Sequence, residues 1–310
     1  MLSVHFWGVR GSIPCPGRTT VEFGGNTSCL EIRAGNRLII VDLGTGVKPL
    51  GDWIMENDFK KGPMDIDVFI THTHWDHIMG FPMFSPIFVP GTKLRIQGPV
   101  SFNDDTLASI IGDQLSYRYW PVRQAELAAH IEYQQLKETT LDLGGGLKVT
   151  TKYLNHPILC LGYRFEYGGK SIVTAYDHEP FRNLFPVDPD DPDYNEEAAR
   201  EGEEAAGEEN EKILQFFKGA DILIHDTQYT AGEFEKHLGW GHSSYDYAIE
   251  AASQAGVKKL IFFHHDPNRT DEQLASLEEK YKNEVRGKTG APARSGLEII
   301  MAREGITVEA

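Results

Sequence analysis

The stretch Thr71-His72-Thr73-His74-Trp75-Asp76-His77 constrains this chain more than any other. It follows Asp65-Ile66-Asp67-Val68-Phe69-Ile70, a short run of β-branched and aromatic residues that reads as a buried strand. The histidines therefore fall on a loop at the carboxyl end of a strand, where a rigid sheet can present them to solvent. In extended backbone His72 and His74 project to one side and can share an ion. Asp76 and His77 are adjacent, diverge in a tightening turn, and can serve a second ion. Neutral imidazole beside carboxylate oxygen suits zinc, manganese or iron(II) better than calcium or magnesium. One strand-end histidine would mean little; three histidines and an aspartate within six positions predict a metal site.

Further donors lie at other strand ends. His156 follows the strand-like stretch 149–154 and precedes Pro157, which keeps its backbone extended. Asp177 follows the stretch 171–175, and His264 and His265 follow 260–263. Each alone is an ordinary turn-former. Together, His72, His74, His156, Asp76, His77, Asp177 and His264 make two nitrogen-rich half-sites with one carboxylate free to bridge them, the inventory that two divalent ions require.

Composition narrows the setting. The 310 residues can bury a full core, and 40% hydrophobic with 25% charged is ordinary for a globular chain. No apolar run approaches the ~18–20 residues needed to cross a bilayer, and the first residues lack the basic and apolar regions of a signal peptide. Cys15, Cys29 and Cys160 are odd in number without a C-x-x-C spacing, so neither disulfides nor a thiolate zinc site is expected, and the cytoplasm is the expected compartment. Of the net charge of −16, the stretch 187–211 holds twelve carboxylates against Arg200, or −11, leaving −5 elsewhere. Neither portion offers the basic surface of a nonspecific nucleic-acid binder. Nucleic acid is therefore disfavoured as a partner, a small anionic phosphodiester is favoured, and no membrane association is expected; a homodimer is allowed.

Strands are expected at 2–10, 28–33, 38–41, 65–70 and 93–97, and again at 131–136, 147–154, 161–167, 171–175, 221–225, 259–263, 297–301 and 305–308. Helices are expected at 47–57, at 103–111 with Asn103 or Asp104 as cap, at 243–255 and at 271–286. This order gives an α/β fold of two sheets with helices outside, a four-layer αββα sandwich. A single domain over 1–310 is expected, with an acidic insertion at about 186–211. The Asp/Pro half of the insertion reads as loop, and its Glu/Ala half can open a helix running into 212–217. Disordered solvated loop is the default for it; a flap or subunit contact beside the site is the functional expectation.

H-x-H-x-D-H after a strand, preceded by Asp42-Leu43-Gly44-Thr45-Gly46 and followed by separate His, Asp and His, resembles the metallo-β-lactamase fold superfamily over nearly the whole chain. The resemblance implies His72, His74 and His156 on one metal, Asp76, His77 and His264 on the other, and Asp177 between them, with Asp42 ordering the metal loop. Tyr176 stands where a glycine usually precedes the bridging aspartate, and His178 and His265 are neighbouring competitors. Gly241-His242-Ser243 and His225-Asp226-Thr227 resemble the phosphodiesterase branch that includes tRNA 3′-processing endonucleases. There Asp226 orients His242, and His242 stabilises or protonates the departing oxygen. The phrases 6–14, 24–28 and 264–267 are similar to small-substrate members acting on cyclic phosphates or cyclic nucleotides, which puts the glycine loops near the metals. The expectation is thus a dinuclear hydrolase of a small cyclic phosphate or cyclic nucleotide. Zinc is first among its metals, and Asp76, Asp226 and His242 are its catalytic residues. The alternatives are tRNA 3′ processing, disfavoured by the lack of a basic clamping arm between His77 and His156, and a thioester or lactone hydrolase. A retired, purely binding scaffold would have lost ligands, and none is lost here.

Overall fold

Alternation along the strands decides the layering. In Lys259–Phe263, Leu260 and Phe262 enter one buried cluster while Ile261 and Phe263 enter another, so this strand is covered on both faces. The computed structural model describes residues 1–99, 105–287 and 296–310. Its strands are β1 (Leu2–Gly8), β2 (Cys29–Ala34), β3 (Arg37–Val41), β4 (Asp65–Phe69), β5 (Lys93–Pro99), β6 (His130–Leu136), β7 (Thr140–Asp142), β8 (Lys148–Leu154), β9 (Cys160–Tyr167), β10 (Lys170–Ala175), β11 (Ile222–Asp226), β12 (Lys259–Phe263), β13 (Glu298–Met301) and β14 (Thr307–Glu309). They form two seven-stranded sheets, ordered β14-β1-β2-β3-β4-β5-β6 and β13-β12-β11-β10-β9-β8-β7.

Between the sheets lie Val4, Phe6, Ile39, Val41 and Phe69 from the first, against Val149, Tyr163, Phe165, Ile224 and Phe263 from the second. Helix α1 (Val47–Asn57) packs Val47, Leu50 and Ile54 on the outer face of the first sheet. The short α2 (Trp75–Ile78) and α3 (Leu107–Gly112) follow β4 and β5. The second sheet is covered by α4 (Glu196–Phe217), α6 (Tyr245–Gln254) and α7 (Asp271–Val285), with the short α5 (Ala231–Phe234) between them in sequence. The result is the expected α/β sandwich of two sheets flanked by helices.

Several boundaries differ from expectation. Helix α3 starts at Leu107, where the Thr106 hydroxyl accepts the Ser109 N–H at 3.0 Å; Asn103 and Asp104 lie outside the described residues. Helix α6 starts after Ser244, because the Ser243 N–H and hydroxyl are already bound to Asp226 and to the His178 carbonyl. The Glu/Ala half of the acidic stretch forms the helix expected to run into 212–217, in place of the disordered loop that composition makes the default. From Glu196 onward it is helical, capped by Asn195 and anchored through Ile213, Phe216 and Phe217. Among the described residues no helix is long and apolar enough to cross a membrane.

The arrangement matters because β3, β4 and β5 run parallel in one sheet and β10, β11 and β12 run parallel in the other. Asp42, the 71–77 stretch, Asp177, Asp226 and His264 all lie at the carboxyl ends of these strands.

Candidate metal centre

Four non-glycine residues take positive φ among the described residues: Ser12 (65°), Asp42 (63°), Asp177 (60°) and His264 (59°). All four sit at this one end of the sandwich, and each costs about 1–3 kcal/mol of backbone strain that the surrounding contacts must hold in place.

The first group of donors converges tightly. His74 Nδ1 lies 3.0 Å from His72 Nε2 and 3.1 Å from His156 Nε2, and Asp177 Oδ2 lies 3.6 and 4.0 Å from the latter two. His156 Nδ1–H donates to the Gly241 carbonyl at 2.9 Å, which leaves Nε2 with its lone pair directed into the group. Burial lowers His72 well below its ordinary value and holds His156 down at about 4, so both rings are neutral donors.

In the second group, Asp76 Oδ2 lies 3.2 Å from both His77 Nε2 and His264 Nε2, and Asp177 Oδ1 lies 3.3 and 3.2 Å from the same two nitrogens. Asp177 thus shows one oxygen to each group. The outer contacts fix every ring: His77 Nδ1–H donates to Asp42 Oδ2 at 2.7 Å, and His264 Nδ1–H donates to Gln228 Oε1 at 3.0 Å. Asp42 also accepts the Thr71 N–H and hydroxyl at 2.7 and 2.8 Å, locking the start of the metal loop. Asp76 accepts the Ser12 N–H at 2.7 Å.

The donors fit cations. His77 Nε2 and Asp177 Oδ1 are buried and make no hydrogen bond, an expensive state unless a cation sits between them. Burial opposes charge on His77, yet the Asp76, Asp177 and Asp42 carboxylates push it well above its ordinary value. Buried Asp177 is held well below the carboxylate range by His264, His77 and His72. A cluster that binds a proton this firmly is one in which a metal cation can replace that proton.

His242 stands beside both groups, with Nδ1–H donating to Asp226 Oδ2 at 2.7 Å. Burial would lower its pKa, but the Asp226 carboxylate raises it to about 9. Asp226 is buried and also accepts the Asp177, Gln228 and Ser243 N–H groups.

Sequence reasoning brought the same seven donors and the Asp226–His242 pair together, and the two competitors fall away. His265 Nε2–H donates to the Ala302 carbonyl at 2.9 Å, and His178 Nδ1 accepts the Asn155 N–H at 3.2 Å, outside both groups. Gly11 of the first glycine loop packs against His264, where a Cβ would come within 2.3 Å of the ring. The 24–28 loop braces that loop from behind, its Asn26 carbonyl accepting the Val9 and Arg10 N–H groups. Gln228, the Ser12 amide and the Gly241 carbonyl were missed. They act through main chain or through an amide without a motif, so sequence offers no signal for them.

A family model described as the metallo-β-lactamase superfamily matches residues 23–214. The chain belongs to that superfamily. It is a metal-dependent hydrolase, and its donor set fits a dinuclear site. Among its relatives is a Ribonuclease Z of Staphylococcus haemolyticus, 24% identical over 91% of this chain and 94% of its own. Another is a Ribonuclease Z of Thermoplasma volcanium, 28% identical over 91% and 95%. The metallo-β-lactamase fold protein YhfI of Bacillus subtilis superimposes with a TM-score of 0.62 at 19% identity, covering 100% of this chain and 99% of that one.

These relatives correct one expectation outright. Nucleic acid cannot be set aside as a partner, because proteins matching nine-tenths of the chain are named for cleaving RNA. The physical error lay in reading net charge as local potential: the field at a site is set by the groups around it and by any bound cations. Nor do the relatives match a small cyclic phosphate or cyclic nucleotide as substrate; the tRNA 3′-processing alternative is the reading they match.

Proposed function

We propose that this chain is a dinuclear phosphodiesterase that cleaves RNA at the 3′ side of tRNA precursors. The observation that carries the reading is the buried Asp226–His242 pair set against the seven-donor cluster, in a chain whose relatives over nine-tenths of its length are ribonucleases. His72, His74 and His156 would hold one ion and Asp76, His77 and His264 the other, with Asp177 showing one oxygen to each group. Zinc suits this nitrogen-rich set best, with manganese and iron(II) next. When bound, the two ions supply Lewis acidity to the phosphoryl oxygens and a water of lowered pKa.

The chain's own residues do the rest. Asp76, restrained by the Ser12 amide, would help to orient the attacking water. Asp226 holds His242 by Nδ1, so Nε2 is the nitrogen that gives a proton to the departing alkoxide. The span 1–310 works as one catalytic domain, a reading supported by donors that come from both sheets. Three free thiols agree with a cytoplasmic setting.

The test is cleavage of a precursor tRNA by protein loaded with zinc or manganese, with a chelator control and His242→Ala. Specific release of the 3′ trailer, lost with either control, is the expected result. Turnover of ethyl p-nitrophenyl phosphate without any precursor cleavage would overturn the RNA assignment and leave the phosphodiesterase chemistry in place.

A further inference from the structure

The segments 6–14, 24–28 and 264–267 are far apart in the chain, and one side chain joins all three. Arg10 is fully buried. Its Nε–H donates to the Gly24 carbonyl at 2.8 Å, and Nη1 donates to the Asp266 and Arg269 carbonyls at 3.1 and 2.8 Å. Nη2 is buried without a hydrogen bond, with the Asp271 carboxylate 3.9 Å away. That carboxylate accepts the Glu22 and Phe23 N–H groups at 2.9 and 3.0 Å. Main chain repeats the pattern: the Arg10 N–H donates to the Asn26 carbonyl, the Gly11 N–H to the His265 carbonyl and the His265 N–H to the Val9 carbonyl. A buried charge is often no more stabilising than an apolar side chain of similar volume, so stability alone is a weak reason for this one. What an arginine supplies is geometry, a planar fork that holds three carbonyls in fixed relation.

The fork bears on donors at both of its ends. Gly11 packs so closely on the His264 ring that a Cβ would lie 2.3 Å from it. Ser12, at φ 65°, donates its N–H to Asp76 Oδ2 at 2.7 Å. Asp266 lies two residues past His264, which is itself held at φ 59°. Asp76 and His264 belong to one donor group and face each other at 3.2 Å. The other group is assembled from different contacts, through His72, His74, His156 and the Gly241 carbonyl.

We propose that Arg10 is a positioning residue for one half-site alone: by locking residues 10–12 against 264–269, it sets how tightly Asp76, His77 and His264 hold an ion. The His72, His74 and His156 group is left almost untouched. The proposal rests on the two-ion reading above and names the residue that tunes one ion apart from the other.

The test is zinc titration of the metal-free full chain in competition with a chromophoric chelator, with Arg10→Met introduced into two backgrounds, His74→Ala and His264→Ala. Wild type should bind two ions. In His74→Ala, where the Asp76, His77 and His264 group is intact, Arg10→Met should weaken the remaining ion by about 10-fold, the low end for loss of a ligand's supporting contact. In His264→Ala it should change the remaining affinity by no more than about 2-fold, the usual scatter between sites that share no contact. Equal losses in the two backgrounds would mean that Arg10 only supports the fold, and no loss in His74→Ala would mean that the fork does not reach the donors; either overturns the proposal. Should Arg10→Met not fold, Arg10→Lys, which keeps the buried charge without the fork, reads the same difference. A wild-type chain that binds a single ion defeats the two-ion reading, and the proposal with it.

Discussion

At the scale of the residue, the site depends on which atom each ring turns inward. His242 is held through Nδ1 by a buried carboxylate, so its contribution should follow the leaving group's need for a proton. His242→Ala is expected to lower kcat by about 10²–10⁴-fold on an alkoxide-leaving RNA or dinucleotide, the usual range for general acid catalysis. On a p-nitrophenyl diester, whose leaving group departs unprotonated, the loss should be smaller by about 10-fold or more. Steady-state kinetics on the two substrates checks this; equal losses would remove the proton-donor role. Gly241 bears on the other half of the site. Its carbonyl fixes His156, its φ is 81°, and a Cβ there would strike the ring. Gly241→Ala should therefore displace His156 and weaken retention of one ion, by about 10–100-fold in affinity if it acts like the loss of a ligand's supporting contact. Metal content after dialysis against a weak chelator is the measurement.

The element whose role changed most is the acidic helix α4. Its carboxylate-rich sequence looks like a solvated flap, yet its last turns bury Ile213, Phe216 and Phe217. Its polar side chains reach the rim of the site: Asn210 bonds Phe181 N–H and C=O at 2.9 and 2.8 Å, and the Ala199 carbonyl accepts from Asn183 at 2.7 Å. Helix α4 thus splints the 181–185 segment beside a cavity lined by His156. Phe217→Ala should cost about 3–5 kcal/mol, the usual penalty for emptying a fully buried aromatic site, and denaturant unfolding reads it directly. A loss under about 1 kcal/mol would show that α4 is held by other contacts.

At the scale of the whole molecule, Asp221 ties the second sheet together at the end opposite the donor cluster. It accepts the Ser171 N–H at 2.9 Å, Lys258 Nζ at 2.7 Å and Lys170 Nζ at 3.2 Å. Burial pushes its pKa up, but these donors outweigh burial and hold it below the ordinary value. A carboxyl depressed in the folded state adds stability above its unfolded pKa of ~3.9, and that stability is lost as pH falls through the lower folded value. Asp221→Asn should therefore cost about 2 kcal/mol at pH 7, with the gap to wild type closing on acidification below about pH 4. Unfolding curves for both proteins at pH 7 and pH 3.5 test the sign.

What was legible in the sequence is what chemistry forces into local patterns. The motif 72–77 packs four donors into six positions, and period-2 alternation marks both faces of β12. These two features carried the metal site, the sheets and the layering. What only the tertiary structure decided depends on contacts between segments far apart in the chain. The choice of His264 over His265 rests on a left-handed φ of 59° that breaks the strand at that residue. The helical reading of the Glu/Ala half was open to the sequence, but the core that Ile213, Phe216 and Phe217 enter to anchor helix α4 is built by distant segments. The 239–241 turn keeps its shape only because Glu179, sixty residues earlier, pins the Gly239 and Gly241 N–H groups. The substrate preference read from net charge failed for the same reason. A sum over the chain contains no geometry, and recognition is set by the few groups that the fold brings to one place.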